Sequence, residues 1–155
     1  MHAKSYVIIR LPVHLKYMQL VCFKDLEERE ALERETYKKI TLTGWFHMNA
    51  TDPEANVSFH AAIPKHFAWN RQIWCRRVRL GNYFTRMHSV NPKDVEKFHV
   101  RLLLCHMKAV KSFAELRTFD NVEHPTLKQA SRARQLLQNE EWRNCFADAY
   151  GFQMN

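Results

Sequence analysis

Residues 5–23, SYVIIRLPVHL followed by MQLVCF, are rich in Val, Ile, Tyr and Phe. They predict extended chain, with Pro12 suited to an edge strand or a bulge. Residues 25–39, DLEEREALERETYKK, carry Glu30–Arg34 and Glu35–Lys39 in the favourable i,i+4 order. They predict a helix whose thin apolar stripe (Leu26, Leu32, Tyr37) packs lightly on the surface. TLTGWFHMN at 41–49 opens with β-favouring residues and leads into the acidic turn TDPEA. Residues 57–69 are ambiguous, and Pro64 is expected to break any helix there. RQIWCRRVRLGNYFTRMHSV at 71–90 alternates as two strands around Gly81-Asn82, a dipeptide suited to a two-residue hairpin turn.

The period changes after residue 90. In SVNPKDVEKF, Asn91 is expected to cap a helix, Pro92 to take its first position, and Asp94 to face its positive end. The helix should run to about Met107, with Val95, Phe98, Leu102 and Cys105 as its apolar face and Leu103 widening it. Ser112 is expected to cap a short helix through Leu116. Two more helices are expected over about 126–138 and 140–149, the second capped by Asn139. The architecture implied is α+β: a small antiparallel sheet in the N-terminal half and a helical C-terminal half. We read residues 1–155 as a single domain or fragment, with a mainly β lobe and one surface helix at 1–90 and a helical lobe at 91–150.

Charge sharpens this picture. The formal net charge is +8, and all of the excess lies in the middle third. Residues 64–111 hold eleven Lys and Arg against Asp94 and Glu96. Such a concentration favours a polyanionic partner, because each neutralised phosphate releases counterions. Phe67, Trp69, Trp74, Tyr83 and Phe84 lie among Arg71, Arg76, Arg77, Arg79 and Arg86. Binders of single strands use such pairing, with rings stacking bases and cations following phosphates. Alternation in a strand produces the same pattern with the rings in the core, so both readings stay open for the rings.

Signals for chemistry are missing. His99 and His106 would lie about 10.5 Å apart along a helix axis, beyond the i,i+4 spacing of helical metal pairs. No Cys-x-x-Cys, His-Glu-x-x-His, phosphate-binding Gly-x-x-x-x-Gly-Lys-Ser/Thr or Gly-x-Ser-x-Gly occurs. No catalytic residue, metal site or cofactor is therefore assigned. The four cysteines (Cys22, Cys75, Cys105, Cys145) are scattered, no secretory leader is evident, and no apolar run is long enough to span a bilayer. These features lead us to expect an intracellular protein with reduced thiols and no membrane partner.

Several stretches occur in one order: RLPVHL (10–15), EREALERE (28–35), TLTGWFHMN (41–49), IPKHFAWN (63–70), NPKDVEKFHVRLLLCH (91–106), SFAELRTFD (112–120), PTLKQA (125–130), LL (136–137) and NEEW (139–142). Together they resemble the region just upstream of the helicase motor in Helitron-type transposon proteins, the Rep/helicase fusions. In that family a nicking nuclease precedes the region and a 5′-to-3′ DNA helicase follows it. The motifs of neither enzyme occur here, so no catalytic residue is carried over.

The resemblance implies a mobile-element accessory or connecting region, nuclear or otherwise intracellular. It would associate with DNA and with the neighbouring nuclease or helicase domains of a related protein. The expected DNA contacts are Arg71, Arg76, Arg77, Arg79 and Arg86, with Trp74 and Tyr83 as stacking rings. Replacing Arg76, Arg77 and Arg79 by Ala is expected to flatten the plot of log affinity against log salt. The alternative is a protein-docking module that uses the terminal helical pair through Leu127, Leu136, Leu137, Trp142 and Phe146, positions that equally suit the pair's own packing. A helix-turn-helix reader of DNA is a third possibility, although its turn, QNE, lacks a glycine.

Overall fold

The computed structural model describes residues 7–16, 18, 29, 39–79 and 81–136. The expected helix at 25–39 and the last helix at 140–149 lie outside this set, apart from residues 29 and 39. The fold is α+β, with small antiparallel sheets and helical elements in the C-terminal half. Strand β1 (Val7–Leu11) ends before Pro12, which has no N–H to continue a ladder. Helix α1 (Thr41–Thr51) follows, then 3-10 turns at Pro53–Val57 and His60–Ala62, and the single-turn helix α2 (Ile63–His66). Strands β2 (Phe67–Asn70), β3 (Ile73–Arg76) and β4 (Tyr83–Met87) lead to helix α3 (Val95–His106). Helix α4 (Phe113–Arg117), the short strands β5 (Thr118–Phe119) and β6 (Val122–Glu123), and helix α5 (Leu127–Ala133) complete the order.

Residues 41–49 are helical, not extended. Thr43 turns inward at the start of α1: the Ile40 N–H donates to its Oγ1 at 3.0 Å, and that hydroxyl donates to the Ile40 carbonyl at 3.2 Å. Leu42, Gly44, Trp45, Phe46, Met48 and Asn49 are all buried. A wide buried face, with only His47, Ala50 and Thr51 exposed, outweighs the weak β preference of the opening residues. Asn49 donates from Nδ2 to the Val110 carbonyl at 2.7 Å, tying the helix to the chain after α3. Pro64 opens the first turn of α2, where a missing N–H costs nothing, and so does not break it.

The hairpin lies elsewhere than Gly81-Asn82. β2 and β3 pair antiparallel around Arg71-Gln72, whose φ angles of 45° and 65° match a type I′ turn. Trp69 and Trp74 face each other across this ribbon, ring centroids 5.2 Å apart, and both rings approach Gly44 of α1. The Trp74 indole donates to the Thr41 carbonyl at 2.9 Å. These contacts fix the register against the helix, a constraint invisible in the turn dipeptide. β4 leaves the ribbon and pairs in parallel with β1, Val7 opposite Tyr83 and Arg10 opposite Arg86.

The buried face of α3 is His99, Val100, Leu103 and Leu104, rotated by about one residue, ~100°, from the expected apolar face. Val95 and Cys105 are exposed. The expectation misplaced the stripe because it counted apolar residues only, whereas His99 belongs to the core. Its Nδ1 lies 2.7 Å from Ser131 Oγ, and that hydroxyl donates to the Lys128 carbonyl at 2.9 Å. Asn91 closes a turn before the helix, accepting from the Lys93 N–H at 2.9 Å, and Asp94 occupies the cap position. Glu96 reaches from α3 to accept from the Leu127 and Lys128 N–H groups at the start of α5.

Ser112 caps α4 as expected, accepting from the Glu115 N–H at 3.1 Å. Helix α5 stops short of the expected 138. Gln135 adopts φ 58°, with Gln135 N–H to Arg132 O and Leu136 N–H to Ser131 O forming a Schellman end without glycine.

His60 is fully buried against Trp45, ring centroids 5.2 Å apart, and neither ring nitrogen has a partner among the described residues. Burial lowers its pKa from 6.5 to about 4. The unfolded chain takes up this proton below pH 6.5 while the folded chain refuses it until about pH 4. Stability should therefore fall as pH drops through that window, by up to about 3 kcal/mol from this group. His60→Leu should be near neutral at pH 7.5 and should shallow the loss between pH 6.5 and 4, as read by urea unfolding at stepped pH. At Gly44 an added Cβ would overlap the Trp69 ring. Gly44→Ala should thus cost about 1–3 kcal/mol by overpacking, despite the better helix propensity, and lower the melting temperature.

Candidate nucleic-acid interface

The segment from Phe67 to Met87 positions the expected arginines in two distinct ways. Arg76, at the end of β3, pairs with Glu54 and lies 3.9 Å from Asp52. The hydrogen bond that its guanidinium donates to Glu54 raises its pKa further. Asp52 and Glu54 belong to the turn after α1, where the Glu54 N–H also donates to Asp52 Oδ1. The acidic turn noticed in the sequence thus folds back on the basic ribbon. Arg77 is half-buried. Its Nε donates to the Pro64 carbonyl at 3.0 Å, and its guanidinium stacks 3.8 Å from the centroid of Tyr83.

Trp74 is half-buried between Trp69 and the Thr41 carbonyl. Tyr83 has one ring face covered by Arg77. Arg76, Arg77, Trp74 and Tyr83 therefore all make contacts that hold the fold together. Arg71, at the hairpin turn, Arg79, in the connection after β3, and Arg86, on β4, are exposed. These three make no ion pair among the described residues.

Pairing of β4 with β1 adds a cation absent from the sequence reading. Arg10 and Arg86 are partners in register, so their side chains share a face of the ribbon, and both are exposed. The signal for this was the alternation in both strands, VIIRL and YFTRM, each with Arg one position before a buried apolar end. What the sequence withheld was that the two strands meet.

Among the described residues no group of three or more His, Cys, Asp or Glu is arranged to hold a metal. His99 is buried on Ser131, while the exposed His106 places Nδ1 2.8 Å from the Leu102 carbonyl. Cys75 and Cys105 are free thiols. Burial raises the pKa of Cys105, with Arg101 opposing, so the protonated, poorly nucleophilic form dominates at neutral pH. No helix among the described residues is long and apolar enough to cross a membrane. Of the terminal helical stripe, Leu127 is buried and Leu136 packs against the core, while Leu137, Trp142 and Phe146 lie outside the described residues.

The two internal arginines should differ when removed. Arg77→Ala should destabilise the protein by about 1–2 kcal/mol, through loss of a hydrogen bond and a cation–π contact. Arg76→Ala should cost clearly less than Arg77→Ala, because its carboxylate contacts are solvent-exposed and screened. Urea unfolding midpoints of the two variants at one ionic strength check this order.

No protein-family model matches the chain, and the search of curated proteins returns no match either.

Proposed function

We propose that this chain is a non-catalytic accessory domain that associates with DNA through cations of its middle third, as in the region that connects nuclease and motor in Helitron-type proteins. The observation that carries the reading is the charge distribution. Eleven Lys and Arg face two acids between residues 64 and 111. Of the expected contacts, Arg71, Arg79 and Arg86 stand exposed and outside any ion pair among the described residues, and Arg10 joins Arg86. Such guanidiniums suit phosphate oxygens without reading base sequence. Binding would be driven by counterion release and would weaken steeply with salt. The compartment would be nuclear or otherwise intracellular, with the motor or nuclease of a related protein as further partners. The protein-docking alternative is the weaker reading, because Leu127 is spent on the domain's own core.

The salt dependence expected of Arg76, Arg77 and Arg79 moves, on this reading, to the exposed set. Arg71→Ala, Arg79→Ala and Arg86→Ala combined should lower the slope of log affinity against log salt by about 2 on single-stranded DNA, at roughly 0.7 per phosphate contact. Arg76→Ala should leave that slope unchanged. Titration of the purified chain with a labelled oligonucleotide at four or more ionic strengths measures both. An unchanged slope in the triple variant removes those residues from the interface.

A further inference from the structure

A large cavity beside β4 has a shape and chemistry that the charge argument does not use. It measures about 720 Å³ and lies between β4 and the stretch from Phe59 to His66. That is within the roughly 300–1,000 Å³ of small-molecule sites. Its walls include Phe59, Ala62, Lys65, Tyr83 and Thr85, and no carboxylate is among the lining residues.

Cations back both rings: Lys108 Nζ sits 4.6 Å from the Phe59 centroid, and Arg77 sits on Tyr83. Resting on this DNA-associating reading, we infer that the cavity receives an unpaired nucleobase of a DNA single strand, with Lys65 and Lys108 meeting its flanking phosphates.

Thr85 supplies the polar recognition. Its Oγ1 is shielded from solvent and has no hydrogen-bond partner among the described residues. Its backbone offers more. The Val7 N–H donates to Asn82 O, and the His88 N–H donates to Leu11 O. Even-numbered positions of β4 therefore direct their peptide groups toward β1, and Thr85 directs its N–H and C=O away. No residue of β1 lines the cavity, which places it along that opposite edge. Thr85 thus offers a backbone donor and acceptor along this edge, with an unpartnered hydroxyl on the same residue, groups that a base edge satisfies and an aliphatic ligand does not.

The same geometry disfavours an added peptide strand. A strand inserted between β4 and α2 needs two spacings of about 4.8 Å, hence nearly 10 Å between the flanking backbones. Cα atoms of α2 and of the His60–Ala62 turn already lie within 8 Å of β4.

The test compares three labelled probes on the full-length chain at low salt: a 12-nucleotide oligothymidylate, the same phosphate backbone with abasic sugars, and a 12-base-pair duplex. The intact single strand should bind about 10-fold more tightly than the abasic one, the stacking of a base being lost in the latter. Ala62→Leu, which fills the cavity from a half-buried position, should bring the intact strand down to the abasic level. Thr85→Val, which removes an unpartnered hydroxyl and should fold normally, should lose part of the preference. Equal binding of intact and abasic strands, duplex binding as tight as single-strand binding, or a full preference retained in both variants overturns the base seat while leaving the cation track standing. No binding of any probe overturns the DNA-associating reading itself, and this inference with it.

Discussion

The contact on which most of this architecture depends is the approach of two tryptophans to a residue without a side chain. Trp69 and Trp74 close over Gly44, and the Trp74 indole is anchored on the first carbonyl of the same helix. Aromatic rings bury more area than any other side chains, and their placement dominates the energetics of a core this small. Seating them on α1 settles three matters together. One broad face of the helix is buried, the hairpin register is locked, and Arg71 is carried outward at the turn while Arg76 is brought over the acidic turn beyond the helix. The charge pattern at the surface is a by-product of how the rings pack.

That hierarchy explains which features were legible in the sequence. The α+β composition, the strand at Val7–Leu11, the helix from Val95 to His106 and the Ser112 cap all rest on local signals: β-branched runs, a helical period and a hydroxyl before a short helix. Features settled by partners distant in sequence were lost. Thr41–Thr51 carries local residues that favour a strand, and it becomes a helix because later segments, among them the Trp69–Trp74 hairpin, His60 and Phe113, pack against it. The turns at Arg71-Gln72 and Asp120-Asn121 and the stop at Gln135 all use left-handed backbone at residues other than glycine. Asp120-Asn121 carried a cue that went unread, since Asp and Asn tolerate that conformation. Arg, Gln and the glycine-free end of α5 gave no such cue.

The candidate site divides along the same line. A count of arginines and rings located the basic, aromatic ribbon, but it could not separate a guanidinium facing water from one serving the fold. Arg77 and Arg79 are two residues apart and look alike in the sequence. One bridges Pro64 to Tyr83, and the other sits beside the fully exposed Val78. Lys65 and Lys108 entered the sequence reading only as part of the charge count, because the groups near them come from distant stretches: Lys108 sits over Phe59, and Lys65 shares a cavity wall with Tyr83. Nor does the number of available charges follow from composition, since Asp52 and Glu54 already neutralise one of them.

The parallel pairing of β1 with β4 has a kinetic consequence. Every other strand pair among the described residues is a hairpin that can zip from its own turn, whereas β1 finds its partner only across the whole of residues 12–82. Closing so long a loop is slow, and pairs of this kind form late and open early. Peeling of β1 from the edge would part Arg10 from Arg86 and uncover Leu11 while the tryptophan hairpin stays intact. The cationic face of that ribbon is thereby a feature of the completely closed chain, assembled last.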